Sequence, residues 1–555
     1  MSLFKDQLFG QIGDPKAMTA KPLLFDYAPP KECGKTWSKV VLEVDFSVPA
    51  GRQYDRTAGI WLGGTNLYFG TTQEPDATSG ARWHVERDLT DYAPLFRDPK
   101  PGQVILNNWV SEKYTSVIQA SAHLVFYPAT QDAPASTAAD AVFGLSDDPR
   151  GEQAIVQDGK ARLHRTLALP RNTERVYMDV FAQSQGNDEP WYTCIDDAYV
   201  SKTQTFALES PYDGAPLQEC NGGNLRQVLV TIDGQPAGLA PVFPWTYTGG
   251  VNPHLWRPMP DIQTLNFIPY RVDLTPFAAL LDDGKPHDVS VHVLGANRFF
   301  NLAASLLVYE DQGSKVLAGK LLSNSLKKQP GTGLPHVEST LHANGEHRIE
   351  GTVNTAGKDS YLIVGVLDTS HGKVRTEVAH KDSFSNRQTF SRPDATHYRQ
   401  VIDQATDVDE TIATRTGNAA EVRHRRTVSY PLHLDVTKDV AQDGSFQGDI
   451  DMSQGLHVIR QSRGGDVAFE SHLDESIQSH AAADFNSMGS SINHSRDQHA
   501  MHTFAFKDTF GSCSATKLES RNEEPAVATP GEGCPNGTGA LDWRSRLDAQ
   551  ASGVP

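Results

Sequence analysis

The sequence predicts an all-β protein, built as two adjacent jelly-roll-like antiparallel sandwiches followed by a further β-rich domain. The first observation behind this prediction is strand periodicity, because polar and apolar residues alternate over 40–46, 228–232 and 289–293. The second is the frequency of breaks, since 45 glycines and 33 prolines among 555 residues interrupt these runs at short intervals. The third is the scarcity of helical patterning, with 275–281 forming one short turn at best.

The first two thirds of the chain contain two segments that look like variants of one plan. The segment that ends in the strand 120–127 and the segment that ends in the strand 303–310 both consist of strand–turn–strand pairs. A similar motif precedes each final strand, Asp88-Leu89-Thr90 in one and Asp273-Leu274-Thr275 in the other. We therefore expect a first sandwich with its linker over residues 1–150 and a second sandwich over residues 151–325.

The last third, residues 326–555, is expected to be a more polar β-rich domain. Alternating strands such as 361–366 and 428–434 continue through it, and the tail beyond Asn522 has a loop-like composition. The basic run 423–426 is typical of a solvated strand face, with a functional basic patch as the alternative. Three histidines here are not at a convincing spacing for metal ligands: His494, His499 and His502.

Charge excludes two classes of partner. The formal net charge is −18, which repels phosphate backbones and anionic lipid, so we expect neither a nucleic-acid nor a membrane partner. No stretch approaches the roughly 18 uninterrupted apolar residues of a membrane span. Residues 1–6 also lack the apolar core of a signal peptide.

The five cysteines favour an exported protein, secreted or periplasmic. Cys513 and Cys534 bracket a loop rich in glycine and proline that a disulfide could close, and Cys194 and Cys220 could do likewise, leaving Cys33 unpaired. Five unpaired thiols in a cytosolic chain remain the alternative. None of them forms a CxxC pair, so a metal site is not expected.

Tryptophans and carboxylates cluster around glycine turns in the first two segments. These clusters occupy 54–64, 72–75, 83–88, 185–192 and 243–258. Indole rings beside acids suit a sugar ligand, because apolar ring faces stack while acids take the hydroxyls. The chain contains no GxSxG elbow, P-loop or HExxH motif, so carboxylate chemistry is what remains.

Several of these runs together resemble the acid-active peptide N-glycosidase A family. The resemblance rests on Asp55-Arg56-x-x-Gly59-x-Trp61-Leu62-Gly63-Gly64, Thr72-x-Glu74-Pro75, Trp83-x-Val85-Glu86-x-Asp88, Asn187-Asp188-Glu189-x-Trp191-Tyr192 and Thr248-Gly249-Gly250-x-Asn252-Pro253-x-x-Trp256-Arg257-Pro258. It covers about residues 23–311 well and the last third loosely. Pro190 departs from the family, in which an aromatic residue is usual at that position.

The resemblance implies an amide hydrolase that acts on N-glycosylated peptides and proteins. It would cleave between the innermost N-acetylglucosamine and asparagine, release the glycan and leave aspartate, without a cofactor or metal, as a monomer and at acidic pH. It implies catalytic roles for Asp55, Glu189 and Glu74, and we expect hydrogen bonds or a cation to keep the pKa of Asp55 low. The expected substrate-binding residues are Arg56, Trp61, Trp83, Asn187, Asp188, Trp191, Trp256 and Arg257.

Two other function classes remain open on the sequence alone. A carbohydrate-binding or adhesion protein would use the same tryptophans without turnover. A glycosidase that cuts between sugars with two carboxylates would leave a sugar stub on asparagine.

Overall fold

The computed structural model is almost entirely antiparallel β-structure. It describes residues 1–10, 21–76, 78–131, 133–135, 137–157, 161–195, 223–297, 299–326, 336–339, 342–343, 349–464, 468–487, 495, 497–530 and 534. The described residues form five sheets, accompanied by short 3-10 turns and one α-helical turn, α1 (Ala278–Leu281). The all-β prediction is confirmed.

The first sandwich consists of two four-stranded sheets that share one core. One sheet has the order β1 (Ser2–Phe9), β8 (Ile118–Pro128), β3 (Trp37–Val48) and β6 (Ala81–Asp88). The other has the order β2 (Leu23–Tyr27), β7 (Lys100–Leu106), β4 (Thr57–Leu62) and β5 (Thr65–Thr71). Alternate residues of β3, such as Val40, Leu42 and Val44, face Ile60 and Val104 of the second sheet across this core.

The second sandwich repeats this jelly-roll-like strand order. One of its sheets runs β10 (Ala154–Val156), β17 (Phe300–Glu310), β12 (Thr173–Ser184) and β15 (Tyr270–Asp273). The other runs β11 (Leu163–Leu167), β16 (His287–Leu294), β13 (Gln227–Ile232) and β14 (Gln235–Pro241). Strand for strand this is the order of the first sandwich, so the two segments follow one plan. The segment interpreted as a linker also contributes β9 (Ala141–Gly144), which pairs with β17.

The last third forms a single sheet of twelve strands. Its main path is β18 (Ala318–Asn324), β21 (Ile349–Thr369), β22 (Gly372–Arg392), β23 (His397–Thr416), β24 (Val422–Val440), β25 (Phe446–Arg463), β26 (Phe469–Phe485), β27 (Asp497–Asp508), β28 (Cys513–Arg521) and β29 (Glu524–Pro530). The short strands β19 (His336–Ser339) and β20 (His342–Ala343) both pair with β21. Burial alternates along β22 to β25, because one face packs on a neighbour and the other faces solvent.

The buried face of this C-terminal sheet packs against the second sandwich. Asn386 Nδ2 donates to the carbonyl of Tyr192 at 2.8 Å, and Ser479 Oγ donates to the carbonyl of Leu255 at 2.7 Å. Both acceptors lie in loops of the second sandwich, so hydrogen bonds from the C-terminal sheet hold those loops in place.

Two expectations about the last third need correction. The chain beyond Asn522 is not a loop at first, because β29 pairs with β28. The basic run lies on β24, where Arg423 and Arg425 are exposed and pair with acids. Arg426 points to the opposite face, where it pairs with buried Glu410 at 2.9 Å.

The cysteines are largely oxidised. Cys513 and Cys534 form the expected disulfide. Cys194 is also disulfide-bonded, whereas its expected partner Cys220 lies outside the described residues. Cys33 is free. Across the described part of the chain, no helix is long and apolar enough to cross a membrane.

Candidate active site

The β3–β4 and β5–β6 connections of the first sandwich lie close to the β12–β13 and β14–β15 connections of the second sandwich. Asp55 lies between β3 and β4, and Glu74 lies between β5 and β6. In the second sandwich, Glu189 lies between β12 and β13, while Gly249 and Arg257 lie between β14 and β15. Because the two sandwiches share one strand order, these are corresponding loops, and each sandwich supplies a carboxylate from its third connection.

Backbone hydrogen bonds connect Asp55 to Glu74 and to Gly249. The backbone N–H of Asp55 donates to Glu74 Oε1 at 3.2 Å, and that of Gly249 donates to Asp55 Oδ2 at 3.0 Å. A Cβ atom added to Gly249 would collide with Glu74 Oε1 and lie 3.5 Å from Asp55 Oδ1. Glycine at position 249 lets the backbone approach both acids, since a side chain there would have to displace the carboxyl group of Glu74.

Glu189 belongs to the same group of acids. Its pKa is raised from its ordinary value to about 8, first by burial and then by the negative charges of Asp55 and Glu74. The pKa of Glu74 is also raised to about 8, by burial and then by the charge of Asp55. We call Asp55, Glu74 and Glu189 the acid cluster; all three side chains are half-buried, so solvent reaches them.

Burial and two neighbouring groups act in opposite directions on the ionisation of Asp55. Burial raises its pKa, which corrects the expectation that this pKa is held low. Against that effect, the Gly249 N–H and the charge of Arg56 favour the carboxylate. Glu189 has no such compensation among the causes of its shift, and its pKa is raised to about 8.

Arg56 lies beside the acid cluster without pairing directly with Asp55. Its Nη2 donates to Gln53 Oε1 at 2.7 Å, and its guanidinium lies 5.7 Å from the ring of Tyr54. Residues 51–56 precede β4 and are not in a strand, so Asp55 and Arg56 do not follow the strict alternation of a strand. Burial lowers the pKa of Arg56, while the charges of Asp55 and Glu74 raise it.

A buried ion pair fixes the turn that carries Glu189. Asp188 accepts hydrogen bonds from Arg226 Nη2 at 2.8 Å and from the backbone N–H groups of Asn297 and Phe299, each at 3.0 Å. The side chains of Asp188 and Arg226 are both fully buried. Asp188 therefore anchors the turn that carries Glu189, and its fully buried side chain offers no surface to a ligand, which argues against the substrate contact expected from the sequence.

Three tryptophans expected to stack on sugar lie in the core instead. Trp61 is 1% exposed, and Trp191 and Trp256 are 0% exposed, so their rings offer no surface to a ligand. Large apolar rings are buried wherever the packing can hold them, and Trp256 also donates its indole N–H to the carbonyl of Gly250 at 2.8 Å. Trp83 is half-buried and stacks on Phe46 at 5.0 Å.

The structure adds residues that the sequence analysis missed. Tyr54, 44% exposed beside Asp55, contacts Tyr114 with ring centroids 5.0 Å apart and so places an aromatic surface at the edge of the acid cluster. Tyr247 donates its hydroxyl to the carbonyl of Ser184 at 2.5 Å, behind Glu189. The side chain of Asn187 lies outside the described part of the chain.

The described residues contain no group of three or more histidine, cysteine, aspartate or glutamate side chains arranged to hold a metal ion. The acid cluster instead offers Asp55, whose carboxylate accepts a hydrogen bond from the Gly249 N–H, and two glutamates whose pKa values are raised to about 8. Such a set pairs a proton acceptor with proton donors, which is the requirement for general acid–base catalysis.

Comparison with known proteins places these residues in a family context. The model of the family described as peptide N-acetyl-beta-D-glucosaminyl asparaginase amidase A matches residues 16–320. The peptide-N4-(N-acetyl-beta-glucosaminyl)asparagine amidase A of Prunus dulcis is 28% identical over 387 residues, which are 67% of this chain and 64% of the relative. The chain thus spans less than two thirds of the length of that curated relative.

Two solved structures are similar to part of the chain. PNGase F, a glycosylasparaginase from Flavobacterium meningosepticum, is 13% identical with a TM-score of 0.36 and covers 56% of this chain and 95% of its own. PNGF-II is 11% identical with a TM-score of 0.33 and covers 56% of this chain and 65% of its own.

Proposed function

This chain belongs to the peptide N-acetyl-beta-D-glucosaminyl asparaginase amidase A family, and from that premise we propose that it hydrolyses the amide between the innermost N-acetylglucosamine and asparagine of N-glycoproteins. The glycan leaves as a glycosylamine, and asparagine becomes aspartate. The observation that carries the proposal is the acid cluster, in which three carboxylic acids from hydrogen-bonded loops of two sandwiches come together and two of them have raised pKa values.

In the proposed reaction Asp55 is the general base. It takes a proton from water as the water oxygen attacks the amide carbon, and the Gly249 N–H holds its carboxylate in place. Glu189, still protonated, donates a hydrogen bond to the carbonyl oxygen, where negative charge develops. Glu74 then gives its proton to the nitrogen as the carbon–nitrogen bond breaks, because an amide nitrogen leaves only when protonated.

The proton affinities of the acid cluster define the proposed working pH. The reaction needs Asp55 ionised while Glu74 and Glu189 are protonated, and both glutamates lose their protons near pH 8. The rate is therefore bell-shaped in pH, with an upper limb below about 8 and a lower limb set by Asp55. The raised pKa values of the two glutamates thus support the proposal of a working range below about pH 8.

Arg56 and Arg257 are the proposed substrate-binding residues. Both lie near Glu74, where their charges favour its ionised form, and Arg56 also lies beside exposed Tyr54. Guanidinium groups and an aromatic face together suit a sugar with its acetamide and hydroxyl groups. Tyr54 takes the stacking role that the buried tryptophans cannot fill.

The proposed setting is extracellular or periplasmic, and the proposed oligomeric state is a monomer. The Cys513–Cys534 disulfide supports this setting, because such bonds persist in oxidising compartments. For the domain limits we propose residues 1–150, 151–325 and 326–555. Strand β18 (Ala318–Asn324) precedes the second limit in sequence but pairs with β21 of the C-terminal sheet.

The test is Asp55→Asn assayed on an N-glycopeptide at weakly acidic pH. We expect the native protein to release the glycan and to raise the peptide mass by about 1 Da, as asparagine becomes aspartate. Asp55→Asn should lose roughly 10²–10⁴ in rate, whereas Asp45→Asn, on an exposed position of β3, should keep the native rate. Binding without release would identify a carbohydrate-binding protein, and a sugar stub left on asparagine would identify a glycosidase.

A further inference from the structure

The tip of the β28–β29 hairpin has an unusual backbone. Its two central residues, Asn522 and Glu523, have φ values of 52° and 64°, both in the left-handed region. A two-residue hairpin of this kind favours asparagine followed by glycine, because a Cβ atom is strained at positive φ. Asn522 fits this preference and Glu523 does not. A strained residue retained at such a position points to a role for its side chain.

The side chain of Glu523 is buried against a loop of the second sandwich. Glu523 Oε1 accepts from His254 Nδ1 at 2.6 Å and from the backbone N–H of Ser495 at 3.1 Å, and its side chain is 9% exposed. Glu523 Oε2 lies 3.7 Å from Arg257 Nη1. Gln498 holds the tip in place, since its carbonyl and side-chain oxygens accept the N–H groups of Asn522 and Glu523 at 2.7 and 2.8 Å.

Arg257 extends this contact to the acid cluster. It lies on the loop between β14 and β15 that also supplies Gly249, and its charge acts on Glu74. Gln73, next to Glu74, donates its Nε2 to the carbonyl of Pro258, next to Arg257, at 3.3 Å, so the two segments are in contact. The C-terminal sheet thus reaches Arg257 through Glu523, and Arg257 acts on Glu74 through its charge. The family model that matches the chain ends at residue 320, well before Glu523.

We propose that Glu523 is a positioning residue of the active site, holding the Arg257 guanidinium beside Glu74 and offsetting its positive charge. The inference rests on the proposed function, in which Glu74 donates a proton to the leaving nitrogen. An unopposed guanidinium beside Glu74 would pull that proton away from the carboxyl group. The C-terminal sheet thereby takes part in setting the proton affinity of a group in another part of the fold.

Glu523 carries its charge throughout the proposed working range. Burial opposes ionisation, but the hydrogen bond and charge of His254 lower its pKa to about 2. The groups facing Glu523 are His254 and Arg257. The charged groups acting on Glu74 are Asp55, Arg56 and Arg257, and the charge of Glu74 in turn raises the pKa of Glu189. Loss of the Glu523 charge leaves Arg257 as an unbalanced cation, which favours the ionised form of Glu74.

The test is Glu523→Gln, with Glu524→Gln as the matched control on the exposed side of the same turn. We expect Glu523→Gln to move the upper limb of the pH profile of kcat/KM at least half a pH unit lower. We expect the Glu524→Gln profile to coincide with that of the native protein. If the Glu523→Gln profile coincides with the native profile, with or without a fall in Tm, Glu523 is only a structural contact and the proposal is overturned.

A double-variant comparison tests whether the effect passes through Arg257. In an Arg257→Gln background, Glu523→Gln should no longer move the upper limb, because the cation that it balances is gone. An equal shift in that background would overturn the proposal.

A direct titration separates this inference from the proposed function. The ionisation of Glu74, followed by infrared difference spectroscopy and assigned with Glu74→Gln, should occur at lower pH in Glu523→Gln. An unchanged titration would refute the positioning role whether or not the protein cleaves a glycopeptide. If the titration of Glu74 is shifted in Glu523→Gln but the native protein releases no glycan, the amidase proposal alone is refuted.

Discussion

Replacing Glu189 by glutamine should stabilise the protein at neutral pH and leave its stability almost unchanged at low pH. The reason is linkage between protonation and folding. In the folded chain the pKa of Glu189 is about 8, whereas an ordinary glutamate ionises near 4.5. Between these values the unfolded chain has lost a proton that the folded chain still holds, so stability falls as the pH rises.

The size of the effect follows from this difference. Each pH unit between 4.5 and 8 removes about 1.4 kcal/mol of stability, so a rise from pH 4.5 to pH 7 would remove at most about 3.4 kcal/mol. Glu189 is half-buried and shares its shift with Asp55 and Glu74, so we expect on the order of 2 kcal/mol. For a folding unit of 150–250 residues this corresponds to roughly 4–8 °C in Tm.

The measurement is Tm by calorimetry at pH 4.5 and pH 7 for the native protein and for Glu189→Gln. The gain of the variant over the native protein should be several degrees larger at pH 7 than at pH 4.5. Glu112→Gln, a matched change at an exposed carboxylate, should give no such difference. An equal gain at both pH values would show that Glu189 ionises normally, and the proton-donor role assigned to it would be wrong.

Three further predictions concern the acid cluster and its supports. Arg226→Met removes the ion-pair partner of the buried Asp188 carboxylate, so we expect the free energy of unfolding to fall by about 3–5 kcal/mol, seen as a large fall in Tm. A fall in Tm of less than one degree would contradict the anchoring role of Asp188. Cys534→Ser opens a loop of sequence separation 21 and should cost about 3 kcal/mol in the unfolding of the C-terminal sheet. Cys33→Ser, at the free cysteine, should cost nothing measurable. Glycan release should fall as the pH rises towards 8, where the two glutamates ionise, and a rate still rising at pH 9 would exclude them as proton donors.

The sequence was sufficient to predict the repeated plan of the sandwiches. Strand alternation and the paired Asp-Leu-Thr motifs record local requirements, and in the structure both motifs follow the sixth strand of a sandwich, where Asp88 and Asp273 cap Thr90 and Thr275. Asp55, Glu74 and Glu189 were also identified from their motifs, and the structure brings them together. Their separate proton affinities could not be predicted, because these depend on burial and on neighbours from distant loops.

The errors in the sequence analysis concern the direction in which side chains point. A tryptophan in a loop gives no periodic signal, so its motif does not show whether Trp191 or Trp256 faces solvent or core. Glu523 could not be found from sequence, because its partner His254 is 269 residues away. Its position after Asn522, where glycine would be favoured, was the one local sign of an unusual residue.

The acid cluster and its proposed positioning residue come from three separate sheet systems, which has a consequence for the order in which the site forms during synthesis. The last of these groups to be translated, Glu523, follows nearly all of the C-terminal sheet, so a nascent chain holds its acids before it holds their final support. On the role proposed for Glu523, the final proton affinity of Glu74 is set only after the β28–β29 hairpin has docked.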